Sequence, residues 1–254
     1  MHKLGMASQI SIGTKDVEQS FNFYEKLGFV KKAGSPNPNP WMQISDGTLL
    51  ILLNQDDREY IGLNYFDGGM ESKVVELEKS GIEFLKTSDH DGKFFMGIFS
   101  SPDNFKVGLI NRHPNGMYIP DGYHLFNFPK KYFYEPDRYP NKQCGIFGEV
   151  CHPVKDLKLS MKFWEGLGYE QKAYNKQPYP WAIISDGMNY IGLHQTRDFK
   201  QPAITYYAPD VPKKVKEFEN AGVDSVEFFG GIFGNDSNVI ITTPEGQKFF
   251  LFNL

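Results

Sequence analysis

The 254-residue sequence contains only two cysteines, Cys144 and Cys151. Two thiols are too few for a disulfide framework or a zinc knuckle, so we expect both to be reduced. Basic residues form no run longer than Lys-Lys, and the formal net charge is −4. These features exclude the positively charged surface that nucleic-acid binding requires.

Long apolar runs are also absent. No stretch approaches the roughly 20 apolar residues that span a bilayer, and the first residues lack the basic start and apolar segment of a signal peptide. We therefore expect a cytoplasmic protein, monomeric or homodimeric, with neither membrane nor nucleic acid as a partner. Apolar residues are nevertheless plentiful, at 40% of the chain with 22 Phe and 14 Tyr, so the protein should be globular.

An internal repeat is the strongest pattern in the sequence. A shift of 140 residues superimposes Lys15-Asp16-Val17 on Lys155-Asp156-Leu157, Leu27-Gly28-Phe29 on Leu167-Gly168-Tyr169, Pro40-Trp41 on Pro180-Trp181, and Ile44-Ser45-Asp46-Gly47 on Ile184-Ser185-Asp186-Gly187. The match continues beyond these segments with very short insertions. It predicts two homologous domains, residues 1–112 and 144–254. Residues 113–143 form an aromatic, proline-rich connector between them.

Each domain shows the pattern of two βαβββ modules. The segment QISIGT, ending at Thr14, alternates like a strand. Asp16 is a candidate N-cap for a helix that ends near Gly28, and Asp46-Gly47 between apolar runs indicates a hairpin turn. The glycine-rich stretch FFGGIFG, residues 228–234, is predicted to be a loop. The fold class is therefore α+β, with four modules whose mixed sheets curve around clefts.

These motifs carry a family resemblance. The Lys-Asp-Val/Leu corner, the helix with Phe23-Tyr24 or Phe163-Trp164, the Leu-Gly pair and the later Ser-Pro-Asp resemble the superfamily of glyoxalases, bleomycin-resistance proteins and extradiol dioxygenases. This superfamily is also called the vicinal oxygen chelate fold. The resemblance covers nearly all of both domains and implies two glyoxalase-like domains. It does not choose a chemistry, because members range from metal-dependent isomerases, lyases and dioxygenases to metal-free drug-binding proteins.

The resemblance also implies four strand positions that hold a metal in the family. In this sequence those positions carry Gln9 and Glu149 on the first strand, Ile51 and Ile191 on the fourth, Tyr60 and Ala203 on the fifth, and Gly108 and Phe250 on the last. Each domain thus keeps at most one ligand of four, whereas a divalent catalytic centre takes about three. We therefore expect no metal cofactor, and a protein that binds an aromatic or apolar small molecule in an aromatic-lined cleft.

The expected ligand-binding residues are Gln9, Trp41, Tyr60, Glu149 and Trp181. A glutamate at the inward end of a strand needs a compensating partner or ligand, and tryptophan rings at a cleft mouth can stack on planar ligands. We interpret His152 and Cys151 as structural.

Two alternatives remain open from the sequence. One is a divalent-metal-dependent lyase or dioxygenase with an atypical site around Glu149 and His194. The other is a non-catalytic protein that captures a partner through Tyr132, Phe133 and Tyr134 of the connector.

Overall fold

The structure is a computed structural model that describes residues 4–229 and 237–254. Its strands form two eight-stranded sheets. The strands of the first sheet, in chain order, are Ala7–Thr14 (β1), Val30–Ser35 (β2), Trp41–Ser45 (β3), Leu50–Gln55 (β4), Ile61–Asp67 (β5), Phe84–His90 (β6), Lys93–Ser100 (β7) and Lys106–Asn111 (β8). They lie side by side in the order β2-β3-β4-β1-β5-β8-β7-β6.

The second sheet repeats this order with the second half of the chain, as β10-β11-β12-β9-β13-β16-β15-β14. Its strands are Ile146–Pro153 (β9), Glu170–Asn175 (β10), Trp181–Ser185 (β11), Tyr190–His194 (β12), Ala203–Ala208 (β13), Val226–Phe229 (β14), Asn238–Thr242 (β15) and Lys248–Asn253 (β16). In each sheet one central pair is parallel, β5 with β8 and β13 with β16, whereas the outer hairpins are antiparallel. Both sheets are therefore mixed, as expected.

Within the described residues, four α-helices of ten residues each complete the modules: Val17–Lys26 (α1), Met70–Lys79 (α2), Leu157–Gly166 (α3) and Val211–Asn220 (α4). The predicted cap of α1 is confirmed, because the Asp16 carboxylate accepts a hydrogen bond from the backbone N–H of Gln19. Gly28, which follows α1, has a φ of 91°. The predicted α+β class and the βαβββ order are confirmed. No helix in the described part of the chain is long or apolar enough to cross a membrane.

The chain divides by its internal contacts into two compact units. Unit 1 comprises Met1–Ser11, Ile61–Ile119 and His152–Gln201, and unit 2 comprises Ile12–Tyr60, Pro120–Cys151 and Pro202–Leu254. Residues 230–236, which include most of the stretch predicted as a glycine-rich loop, lie outside the described residues.

Each unit has an aromatic core, and in unit 2 this core lies beside a buried carboxylate. In unit 2 the ring of Tyr24 packs edge-on against Phe29 and Phe249, and its hydroxyl donates to Glu245 over 2.7 Å. In unit 1 the ring of Trp164 packs against Phe105 and Tyr169. Edge-to-face aromatic pairs of this kind add about 1 kcal/mol each beyond their buried area. These cores fix the strands that carry the candidate sites.

Candidate functional site

Three neighbouring strands of the second sheet place Glu149, Thr205 and Phe250 in one row. Glu149 on β9 is opposite Thr205 on β13, and Thr205 is opposite Phe250 on β16. Directly opposed residues share a face of the sheet, so the three side chains lie together. The carboxyl group of Glu149 is almost fully buried, with 3% of the residue exposed. All three residues belong to unit 2.

Half-buried aromatic rings continue this row. Tyr207 and Phe252 stack with ring centroids 5.5 Å apart, and Phe229 contacts both Phe250 and Phe252 at 6.0 and 5.7 Å. Gly148 sits at a bulge in β9, and a Cβ at that position would lie 2.5 Å from the Tyr207 ring. A glycine is therefore needed there to admit this ring. We call this surface the Glu149 face; it comprises Glu149, Thr205, Tyr207, Phe229, Phe250 and Phe252.

The thiol of Cys151 neighbours Glu149 but is not an activated nucleophile. Burial raises the pKa of the Cys151 thiol well above its usual range, and the negative charge of Glu149 raises it further. The thiol therefore stays protonated, which agrees with the structural role expected of it. Cys151 therefore does not provide a nucleophilic thiolate beside the Glu149 face.

Comparison with solved structures reveals the fold. The chain resembles the 2,3-dioxygenase LapB from Pseudomonas sp. KL28 with a TM-score of 0.62 and 12% identity, covering 100% of this chain and 94% of that one. A catechol 2,3-dioxygenase matches with a TM-score of 0.57, 11% identity and coverage of 99% and 88%. Homoprotocatechuate 2,3-dioxygenase from Arthrobacter globiformis matches with a TM-score of 0.61 and 11% identity, covering 99% of this chain and 80% of that one.

The chain has the two-domain vicinal oxygen chelate fold. The resemblance inferred from its motifs is thereby confirmed. No family model matches the sequence, and no curated protein matches it. At 11–12% identity the likeness shows the fold and no more.

The residues in the metal positions of the vicinal oxygen chelate fold do not fit a tightly held ion. The row on the Glu149 face offers one carboxylate, one hydroxyl and one phenyl ring, where a divalent catalytic centre takes about three strong donors. Among the described residues no group of three or more His, Cys, Asp or Glu side chains is placed to hold a metal. Thr205 lies opposite Glu149, whereas Ala203, which the resemblance places at the fifth-strand position, lies opposite Cys151.

The structure places the other predicted residues in both units. In unit 2, Trp41 lines a pocket of about 380 Å³ with Glu18 and Lys31. Tyr60 lies just before β5, outside the strand where it was expected, and its hydroxyl accepts a hydrogen bond from the Asn54 amide. Asn54 is in turn opposite Trp41. Asn54 is thus the neighbour of Trp41 in the sheet and the hydrogen-bond partner of Tyr60.

In unit 1, Gln9 lies buried in β1. Trp181 and His194 are opposite each other on β11 and β12, and their rings stack with centroids 6.3 Å apart. The indole N–H of Trp181 donates to the carbonyl of Gln177 over 3.1 Å. Glu149 belongs to the other unit, so the two proposed members of an atypical metal site, Glu149 and His194, are not brought together within either unit.

His152 lies on the opposite face of β9 from Glu149, because their positions differ by three residues in a strand. Its ring contacts Phe105 at 5.2 Å. Burial lowers the pKa of His152 to about 4; Asp103 opposes this shift, and His194 adds to it. The imidazole is therefore neutral at neutral pH.

Acid should destabilise the protein through this histidine. The unfolded imidazole binds a proton near pH 6.5 and the folded one near pH 4, so the unfolded state holds more protons in between and stability falls as the pH falls. From pH 6.5 to 5 the loss due to His152 should be about 1.5 kcal/mol. Urea unfolding at both pH values measures it, with His152→Ile as the comparison, since Ile12 occupies the equivalent position of the first repeat. Equal losses in both proteins would contradict the assignment.

Proposed function

We propose that the Glu149 face binds a small aromatic molecule. The observation that carries the proposal is the row of Glu149, Thr205 and Phe250 beside half-exposed rings, in a fold whose solved examples include dioxygenases named for catechol and homoprotocatechuate. Aromatic side chains stack on planar ligands. A carboxylate can accept several hydrogen bonds, and those from phenolic hydroxyls are strengthened by its charge.

A metal-dependent dioxygenase is the second candidate function. The likeness to three 2,3-dioxygenases supports it more than it supports a metal-free binding protein. The resemblance of the motifs also implies that Glu149 corresponds to the first-strand ligand of the family. Thr205 and Phe250, which are in register with Glu149, do not supply the further ligands that a metal site would need. Binding of an aromatic molecule is common to both candidates, whereas ring cleavage belongs to the second. A cytoplasmic location remains a prediction.

Calorimetric titration with catechol tests the proposal. Catechol should bind with a Kd on the order of 0.1–1 mM, as a ligand of its size allows, and Glu149→Gln should weaken binding about tenfold because a charge-assisted hydrogen bond is lost. Glu219→Gln, on the exposed side of α4 in the same unit, is the control and should leave the Kd unchanged.

The effect of EDTA distinguishes metal-independent binding from metal-dependent dioxygenase activity. A catechol affinity that EDTA leaves unchanged supports metal-independent binding. Oxygen uptake with catechol that requires added Fe(II), stops with EDTA and is absent in Glu149→Gln would instead support the dioxygenase. Failure of catechol to bind with or without metal would contradict the proposal.

A further inference from the structure

Unit 1 contains a pocket of about 880 Å³ whose lining includes no residue of the Glu149 face. Four segments surround it: residues 102–104, the junction between β9 and α3, the loop before β11 that carries Tyr179, and the loop that follows β12. Its volume is within the range of small-molecule sites. The side chains that give it its chemistry are His152, Lys155, Tyr179, Arg197, Phe199 and Lys200.

His152 is the buried polar group of this pocket. Only 4% of the residue is exposed, and although the backbone of Asp103 interacts with the ring, neither ring nitrogen has a hydrogen-bond partner of good geometry among the described residues. Burying a polar group without such a bond costs free energy. The fold does not require a polar residue there, because the equivalent Ile12 of the first repeat is apolar and buried. A ligand that bonds to the imidazole would offset this cost.

The rest of the lining combines aromatic walls with cations. Tyr179 and Phe199, which both line the pocket, also contact the His194 ring, at 5.9 and 5.8 Å. Lys155, Arg197 and Lys200 are exposed cations at its edge.

Two carboxylates, those of Asp103 and Asp198, also line the pocket. Asp103 is already engaged, since it accepts hydrogen bonds from the Lys155 backbone and the Ser160 hydroxyl. The lining therefore carries three cations, and Asp198 is the carboxylate that remains to balance their charge. Gln55 and Gln195 correspond at a shift of 140 residues, whereas Tyr60 and Ala203 correspond at 143, so the loop after β12 is three residues longer than the one after β4. The loop that supplies Arg197, Phe199 and Lys200 is thus particular to the second repeat.

We propose that this pocket is a second ligand site, which binds a small planar aromatic carboxylate. The ring lies between Tyr179 and Phe199, the carboxylate meets Arg197 and the neighbouring lysines, and a polar substituent at the far end of the ring bonds to His152. A neutral imidazole supplies one donor and one acceptor, so a phenolic hydroxyl suits it. Arginine binds carboxylates through two parallel N–H groups, which favours this anion.

4-Hydroxybenzoate is the probe, titrated into the full chain by calorimetry. It should bind, His152→Ile should raise its Kd about tenfold, and Arg197→Ala should raise it to a similar degree. Arg112→Ala changes an exposed arginine of the same unit that does not line the pocket, and should leave the Kd unchanged. Because Arg197 is exposed, its variant tests the site even if His152→Ile does not fold.

Competition distinguishes this site from the Glu149 face. Saturating catechol and Glu149→Gln should both leave the Kd of 4-hydroxybenzoate unchanged. The proposal is overturned if the probe does not bind, if Arg197→Ala binds it as tightly as the wild type, or if catechol displaces it. A failure of catechol to bind would overturn only the proposed function.

Discussion

Replacing Asp46 with alanine should lower the free energy of unfolding by about 4 kcal/mol. Asp46 is buried in unit 2, and one carboxylate oxygen accepts from the backbone N–H groups of Thr48 and Leu49 at 2.9 and 2.7 Å. The other accepts from the Asn141 amide and the Tyr206 hydroxyl. Burial raises the pKa of Tyr206, and the charge of Asp46 adds to the shift, so the hydroxyl remains a donor. Alanine would leave these buried donors without their acceptor.

Urea unfolding measures this loss. Asp57→Ala is the control, because Asp57 is exposed in the same unit and its removal should change the free energy of unfolding by less than about 0.5 kcal/mol. A loss below about 1 kcal/mol in Asp46→Ala would mean that the carboxylate does not organise this network. Tyr206→Phe should give a smaller loss, of about 1 kcal/mol, because only one donor is removed.

Gly145→Ala should also destabilise the protein, by about 3 kcal/mol. Gly145 has a φ of 106°, a conformation that other residues rarely adopt. A Cβ there would lie 2.3 Å from the Tyr207 carbonyl oxygen and 2.8 Å from the Ala208 side chain. The backbone must therefore move, at the point where the connector enters β9 and hence next to the Glu149 face.

Gly166→Ala is the matched control for this prediction. Gly166 is the last residue of α3, and no heavy atom beyond its own helix and chain neighbours lies within 4 Å of its Cβ position. Alanine favours helices over glycine, so this variant should be more stable by about 0.5–1 kcal/mol. Thermal unfolding of the two variants should shift the midpoint in opposite directions. A Gly145→Ala protein as stable as the wild type would refute the steric argument.

Local patterns predicted the secondary structure well, because the helices and strands of each module begin and end at capping and turn residues that are visible in the sequence. The cap at Asp16 and the turn at Asp46-Gly47 depend on residues within a few positions of each other. The side-chain hydrogen-bond partners of Asp46 are not local, because Asn141 and Tyr206 lie far from it in the sequence. The turn could therefore be predicted from the sequence, but the buried network around it could not.

The candidate site was predictable in part for a similar reason. Glu149 was identified as the first-strand position that the family resemblance implies. Its cross-strand neighbours could not be identified in this way, because the pairing of β9 with β13 and of β13 with β16 places Thr205 and Phe250 beside it, and this register joins strands that are distant in the sequence. The pocket around His152 combines four separate segments of the chain. No single segment has a sequence pattern that predicts the pocket.

The composition of the compact units bears on how the chain folds. Unit 1 takes residues from the first eleven positions and from positions as late as Gln201, and unit 2 runs from Ile12 to Leu254. Neither unit can be completed until most of the chain has left the ribosome. The native contacts therefore span long stretches of sequence, and high contact order slows folding. Partly synthesised chains must expose the apolar surfaces of both cores, which makes them candidates for chaperone protection during translation.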